Sequence, residues 1–184
     1  MEKTNEYTIF VFTENHIGLL NRITIIFTRR HINIESLTVS ASEIPGIHRF
    51  TIVVNVTEDM AKKVVKQIEK LVDVLRARFY QSMELIHGEI AMFKMNVANF
   101  SGGHVEKIVR KYNARILTIE DDYVVIEKTG PLEETHELFV ELQPFGILQF
   151  CRSGRIAITR SQKELSVLIE ELEQAKKFSE LQMS

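Results

Sequence analysis

Tyr7-Thr8-Ile9-Phe10-Val11-Phe12-Thr13 is β-branched or aromatic at every position, and both of its alternating faces carry apolar side chains. Such a run belongs on a strand covered from both sides, so it is read as the central strand of a sheet. Glu14 to Gly18 interrupts it. Leu19, Leu20, Ile23, Ile26 and Phe27 then recur at helical spacing, with Arg22, Arg29 and Arg30 between or after them. Ile32 to Ala41 is strand-like, but its phase slips. Ile32 and Ile34 share one parity, whereas Leu37, Val39 and Ala41 share the other. A β-bulge near Glu35-Ser36 restores a single apolar face. Glu43-Ile44-Pro45-Gly46 makes a turn, and His48 to Val56 alternates with Phe50, Ile52, Val54 and Val56 on one side. These two strands form an antiparallel hairpin. Thr57-Glu58-Asp59 caps a second helix with the stripe Met60, Val64, Val65, Ile68, Leu71 and Val72. Val72 to Tyr80 is the next strand. The order β-α-β-β-α-β within about 75 residues specifies a ferredoxin-like sandwich.

The same order follows again. Residues 81–88 read as a linker. Glu89 to Ala98 is a strand, and Ser101-Gly102-Gly103 leads into a helix that turns Val105, Ile108 and Val109 inward. Ala114 to Glu120 and Tyr123 to Lys128 flank the tight turn Asp121-Asp122. Gly130-Pro131 starts a helix lined by Leu132, Leu138, Phe139 and Leu142. Strands at Gly146 to Cys151 and Arg155 to Thr159 close the unit. The fold class is therefore α+β, with two tandem ferredoxin-like βαββαβ domains at 5–80 and 89–160. A charged, helical tail is expected at 161–184.

The 184 residues are 45% hydrophobic and 26% charged, a globular composition. The net charge of -2 opposes a nucleic-acid or membrane-surface role, which needs a dense basic face. No apolar run approaches the roughly 20 residues of a membrane span. Met1 to Glu6 lacks the apolar core of a signal peptide. One cysteine forms no intrachain disulfide and fits a reducing, cytoplasmic setting. Cys151 follows Phe150 in an apolar strand and is read as a buried, inert thiol. The six histidines keep no metal-ligand spacing, and no P-loop or dinucleotide fingerprint is present. Glu69 and Asp73 read as lone, solvated carboxylates. The pattern contains no catalytic constellation and no metal site. An RNA-binding sheet would need exposed aromatics, whereas Phe10, Phe12 and Phe50 are read as core.

One loop carries more. Asn15-His16-Ile17-Gly18-Leu19-Leu20 joins the central strand to a helix start. Backbone N–H groups in a first helical turn lack intrahelical partners and attract a carboxylate. Gly18 permits close approach to the backbone, and Asn15 offers both a donor and an acceptor. Asn15 as a plain helix cap and Gly18 as a plain turn are the alternative readings.

Glu14-Asn15-x-x-Gly18-x-Leu20-x-Arg22, followed by Asn33-Ile34-Glu35-Ser36-Leu37-Thr38-Val39, resembles an ACT domain. More narrowly, it resembles the one in the regulatory small subunits of acetohydroxyacid (acetolactate) synthase. Lys70 to Leu75, Glu89-Ile90, and Phe145-Gly146-Ile147 through Arg152-Ser153-Gly154-x-x-Ala157-x-x-Arg160 extend the match over roughly residues 6–160. The resemblance implies a non-catalytic chain with no cofactor of its own. Its partner would be a catalytic large subunit holding thiamine diphosphate, Mg and FAD, and it would carry feedback inhibition by a branched-chain amino acid. It further implies a homodimer through the ACT domains, with the effector at their interface. Asn15, His16, Gly18, Leu19 and Leu20 would come from one chain, and Asn33 and Ile34 from the other. An apolar edge strand at Ile32 to Ala41 fits such pairing. A different ACT-type amino-acid sensor is the alternative; the matched second domain weighs against it. Three departures stand out: His31 where the family usually has Gly, Ile17 where proline is common, and Leu19 where a smaller residue is frequent. The larger Leu19 is expected to narrow the pocket.

Overall fold

The computed structural model describes residues 3–100, 103–160 and 170. The described residues divide into two units: residues 3–86 together with 157–160, and His87–Ile156. In the first, β1 (Asn5–Glu14), α1 (Leu19–Thr28), β2 (Ile34–Ala41), β3 (Ile47–Val56), α2 (Glu58–Ile68) and β4 (Val74–Gln81) follow in the expected order. The sheet is antiparallel with order β2-β3-β1-β4, so β1 is central. Tyr7, Ile9 and Val11 pack on one face against Leu19, Ile23, Ile26 and Phe27 of α1 and Ala61, Val64 and Ile68 of α2. The expected bulge lies between Ile34 and Ser36. It places Leu37 opposite Ile52 and Val39 opposite Phe50, facing the helix layer.

The other face of β1 explains why Tyr7 to Thr13 is apolar throughout. Phe10 and Phe12 are buried there with Ile47, Tyr80, Leu85 and Ala157. Arg49 lies over both rings, 4.2 Å from the Phe10 centroid and 5.6 Å from that of Phe12, and donates to the Ala157 carbonyl. Burial pulls the Arg49 guanidinium below its usual range. This cover bears on two sequence-based boundaries. The division between the units falls within residues 81–88, the expected linker, but the segment is structured: Ser82–Glu84 forms a 3₁₀ turn closed by a reciprocal Gln81–Glu84 cap, and the next strand begins at Leu85. Residues 157–160 belong with the first unit rather than with 89–160. The Arg160 backbone N–H donates to the Glu84 carbonyl at 3.0 Å, and its Nε to the Leu85 carbonyl at 3.0 Å. The physical cause is common to both: Phe10 and Phe12 need apolar cover, and Leu85 and Ala157 complete what Ile47 and Tyr80 begin. Val72 is also displaced from its expected place in a helical stripe. α2 ends at Ile68, and Val72 sits exposed in the turn before β4.

His31 accounts for its own departure from the family pattern. It follows α1 with φ +54, the left-handed region that favours glycine. The Ile32 N–H returns to the Phe27 carbonyl and the His31 N–H to that of Thr28, which closes the helix C-terminus in a Schellman pattern. His31→Gly is expected to raise the unfolding free energy by about 0.5–1 kcal/mol by relieving this strain, as read by urea denaturation.

The second unit contains β5 (Leu85–Asn96), α3 (Val97–Phe100), α4 (His104–Lys111), β6 (Arg115–Ile119), β7 (Tyr123–Gly130), α5 (Leu132–Leu142) and β8 (Ile147–Arg152). Its sheet runs β6-β7-β5-β8, and β9 (Ile156–Thr159) pairs β5 off this path. Ala91, Phe93, Met95, Val124 and Ile126 meet Val105, Val109, Leu138 and Leu142 in the core. Three expectations change. Cys151 is exposed, because β8 ends that path and Cys151, paired with Met92, lies on the outward face. Leu132 is exposed at the start of α5; Thr135 is buried instead, donating to Glu89, which also pairs with Arg152 at 3.0 Å. β6 carries its own bulge between Ile116 and Thr118. Ser101, Gly102 and the tail expected at 161–184 lie outside the described residues, apart from residue 170. Among the described residues no helix is long and apolar enough to cross a membrane.

Candidate functional site

The loop after β1 is built by three backbone constraints. The Asn15 N–H donates to the Gly46 carbonyl at 3.1 Å, fastening the loop to the β2–β3 turn. The Glu14 N–H donates to the Asp73 carbonyl at 3.0 Å, fastening it to the turn before β4. Gly18, with φ +83, then redirects the chain into α1. Its carbonyl accepts the first intrahelical bond, from the Arg22 N–H at 3.1 Å, while the Leu19 N–H returns to the His16 carbonyl. No side chain caps α1, so Asn15 is not its cap. The N–H groups of Leu20 and Asn21 have no acceptor within the helix. Both residues are exposed. The start of α1 is thus open and partly positive, the kind of position that attracts carboxylates.

Charged side chains flank that helix start. His16 Nδ1 lies 2.8 Å from Asp73 Oδ1, and its Nε2 lies 3.6 Å from Glu14 Oε2. Arg22 Nη2 pairs with the other oxygen of Asp73. The Asp73 side chain is only 14% exposed, against 54% for His16. The hydrogen bond from His16, joined by that from Arg22, holds the Asp73 carboxyl below the usual carboxylate range despite desolvation. Asp73 is therefore not the solvated carboxylate that the sequence suggests. It lies 51 residues from Arg22, and no local pattern links them. Glu14, His16 and Asp73 bring one ligand-type atom each within 4.8 Å of one another, and as they stand they form a polar network with Arg22. The two carboxylates face different ring nitrogens, and Arg22 already supplies the positive charge on Asp73.

The expected site residues divide by location. Asn15, His16, Gly18 and Leu20 are exposed on the loop and the first turn. Leu19 is not: its side chain is 3% exposed and packed in the core, so it offers only backbone and cannot narrow a pocket there. Ile17 beside it is fully exposed. Asn33 is exposed and donates to Glu35 at 3.0 Å, and Ile34 is half-buried at the start of β2. Within one chain these two groups do not meet. Ile34 pairs with Val54, which pairs with Tyr7; the Asn15 loop follows Glu14, which pairs with Ile47. Tyr7 and Glu14 are separated by seven residues of strand, about 20 Å or more.

Comparison with known proteins covers both units. Residues 9–76 match the family described as the acetolactate-synthase (AHAS) small-subunit-like ACT domain, and residues 88–161 match the one described as the small subunit of acetolactate synthase. The Bacillus subtilis acetolactate synthase small subunit is 33% identical over 151 residues, covering 82% of this chain and 88% of its own. A probable acetolactate synthase small subunit from Methanothermobacter thermautotrophicus is 30% identical over 160 residues, covering 86% and 95%. The crystal structure of the small subunit from Thermotoga maritima superposes with a TM-score of 0.79 at 24% identity, covering 86% of this chain and 99% of that one, and so shares the fold. With an ACT domain first and a second ferredoxin-like unit behind it, this chain belongs to the family of acetolactate synthase small subunits.

Proposed function

We propose that this chain is a non-catalytic regulatory subunit. It activates a thiamine-diphosphate-dependent large subunit that condenses two pyruvates, or pyruvate with 2-ketobutyrate, and it carries feedback inhibition by a branched-chain amino acid. Thiamine diphosphate, Mg and FAD belong to that partner, and the complex works in the cytoplasm. Family membership supports the partner. One observation carries the effector site: an uncapped helix start opened by Gly18, beside the Ala41 end of an edge strand whose other end holds Asn33 and Ile34.

Antiparallel pairing of β2 with β2 of a second copy reverses the strand. It brings Asn33 and Ile34 of one chain to the Ala41 end of the other, where the Asn15 loop is tied to Gly46. The two half-sites, distant within a chain, then converge across an isologous dimer. The effector's carboxylate meets the Leu20 and Asn21 N–H groups, and Asn15 and Asn33 supply polar contacts to its ammonium. Reconstitution tests this reading. The purified chain makes no acetolactate from pyruvate; added to the large subunit it raises turnover, and valine, leucine or isoleucine reverses the gain. Activity from this chain alone, or a large subunit indifferent to it, would refute the reading.

A further inference from the structure

The first sheet has two edges, β2 and β4, and their backbone groups are in different states. The Glu14 N–H turns to the Asp73 carbonyl before β4, and the Asn15 N–H turns the other way, to Gly46 in the β2–β3 turn. Bonds alternate in direction along an antiparallel strand, so even-numbered residues of β1 face β4 and odd-numbered ones face β3. Through the register Thr8↔Tyr80, Phe10↔Arg78 and Phe12↔Arg76, the even-numbered residues of β4 bond β1. Ala77, Phe79 and Gln81 therefore present their N–H and carbonyl groups to the open edge. Two of these three N–H groups are taken by carboxylates of the same unit. Glu84 accepts from Gln81 at 2.6 Å, and Glu69, which follows α2, accepts from Ala77 at the longer distance of 3.5 Å. The edge is not walled off otherwise: a groove of about 390 Å³ beside it is lined by Val65, Lys66, Glu69, Phe79 and Glu84.

The β2 edge differs. The same alternation, carried across β3 through Thr38↔Thr51, turns the Leu37 and Val39 N–H groups outward. Among the described residues no side chain accepts from them. A strand added at either edge must offer carbonyls to the outward N–H groups. At β2 it finds free donors. At β4 it meets carboxylate oxygens, acceptor against acceptor, and pairing would strip those carboxylates of water and of their N–H partners, which is costly. Charge placed at a sheet edge is a recognised guard against strand addition. We infer that Glu69 and Glu84 hold the β4 edge shut, so that a second copy of this chain pairs with the first unit at β2 only. Without them the β4 edge takes β4 of another copy, and a unit with two pairing edges builds open arrays in place of closed pairs. The inference goes beyond the effector site and rests on the β2 pairing only for the assembly that the wild-type chain forms.

Sedimentation of the full chain over a wide concentration range tests this. The double variant Glu69→Ala, Glu84→Ala is expected to self-associate at least about tenfold more tightly than wild type, its mass growing past the wild-type species as concentration rises. Hydrogen exchange locates the new contact: the Phe79 amide slows with concentration in the double variant and not in wild type, because only there does it gain a partner. Gln81→Pro added to the double variant removes an outward N–H without breaking a bond to β1, at a φ of -82 that suits proline, and is expected to reverse the gain. Should the alanine pair unfold, Glu69→Gln with Glu84→Gln, which keeps an acceptor at each place and loses the charge, is read in the same way. A folded double variant with the wild-type mass at every concentration overturns the inference. So does a gain that survives Gln81→Pro with Phe79 exchange unchanged. Whether the wild-type chain is itself a dimer or a monomer decides the β2 pairing and leaves this inference standing.

Discussion

Gly18→Asp is expected to abolish effector binding while leaving the chain folded. Nothing lies within 4 Å of a Cβ placed at Gly18, so steric clash is not the mechanism. Two other effects operate. A side chain at φ +83 costs about 1–2 kcal/mol, somewhat less for aspartate, which tolerates the left-handed region. More important, the new carboxylate sits against the N–H groups of Leu20 and Asn21 that would receive the effector, and it repels the effector's own. Like-charge juxtaposition of that kind costs several kcal/mol, so valine affinity should fall by about 100-fold or more. Gly18→Ala separates the terms: it carries the backbone strain without the charge, lowering the melting temperature but keeping measurable binding. A valine-induced thermal shift that survives Gly18→Asp unchanged would place the site elsewhere.

If the chain dimerises through β2 as proposed, Val39→Lys is expected to dissociate that dimer and weaken effector binding together. β2 is the edge of its sheet, and Val39 is 39% exposed there rather than part of the buried core. A lysine at an edge strand opposes strand pairing without emptying the interior. Leu37→Lys, by contrast, would also damage packing, because Leu37 touches the core cluster. The dimer dissociation constant should rise at least about tenfold, measured by analytical ultracentrifugation, with valine affinity falling in parallel. Activation of the large subunit need not fall to the same degree if other surfaces contact it. A monomeric variant that binds valine as tightly as wild type would show a site complete in one chain.

What could be read beforehand was whatever lies within one element or one turn. The phase slip in Ile32 to Ala41 located the bulge between Ile34 and Ser36 because a period-two pattern records its own interruption. The apolar run Tyr7 to Thr13 announced cover on both faces. What completes the cover of the second face was illegible, since Leu85 and Ala157 are dozens of residues away in sequence. Asp73 was hidden for the same reason: its partners His16 and Arg22 are 57 and 51 residues distant. Cys151 and Leu132 went astray because an apolar neighbour in sequence says nothing about which strand forms an edge or where a helix begins. The open helix start after Gly18 was legible from the loop Asn15 to Leu20, whereas the distance of Asn33 and Ile34 from it within one chain follows only from the strand registers.

The cover over Phe10 and Phe12 also has a kinetic side. The first unit cannot complete its outer layer when β4 leaves the ribosome, because Ala157 and Arg160 are still to be made. At typical elongation rates the 76 residues from Leu85 to Arg160 take roughly 4–15 s. For that interval Phe10 and Phe12 have Ile47 and Tyr80 beside them but lack the part of their cover that Ala157 supplies. Completion of the first unit's outer layer is therefore tied to the end of synthesis of β9, which acts as its closing stitch.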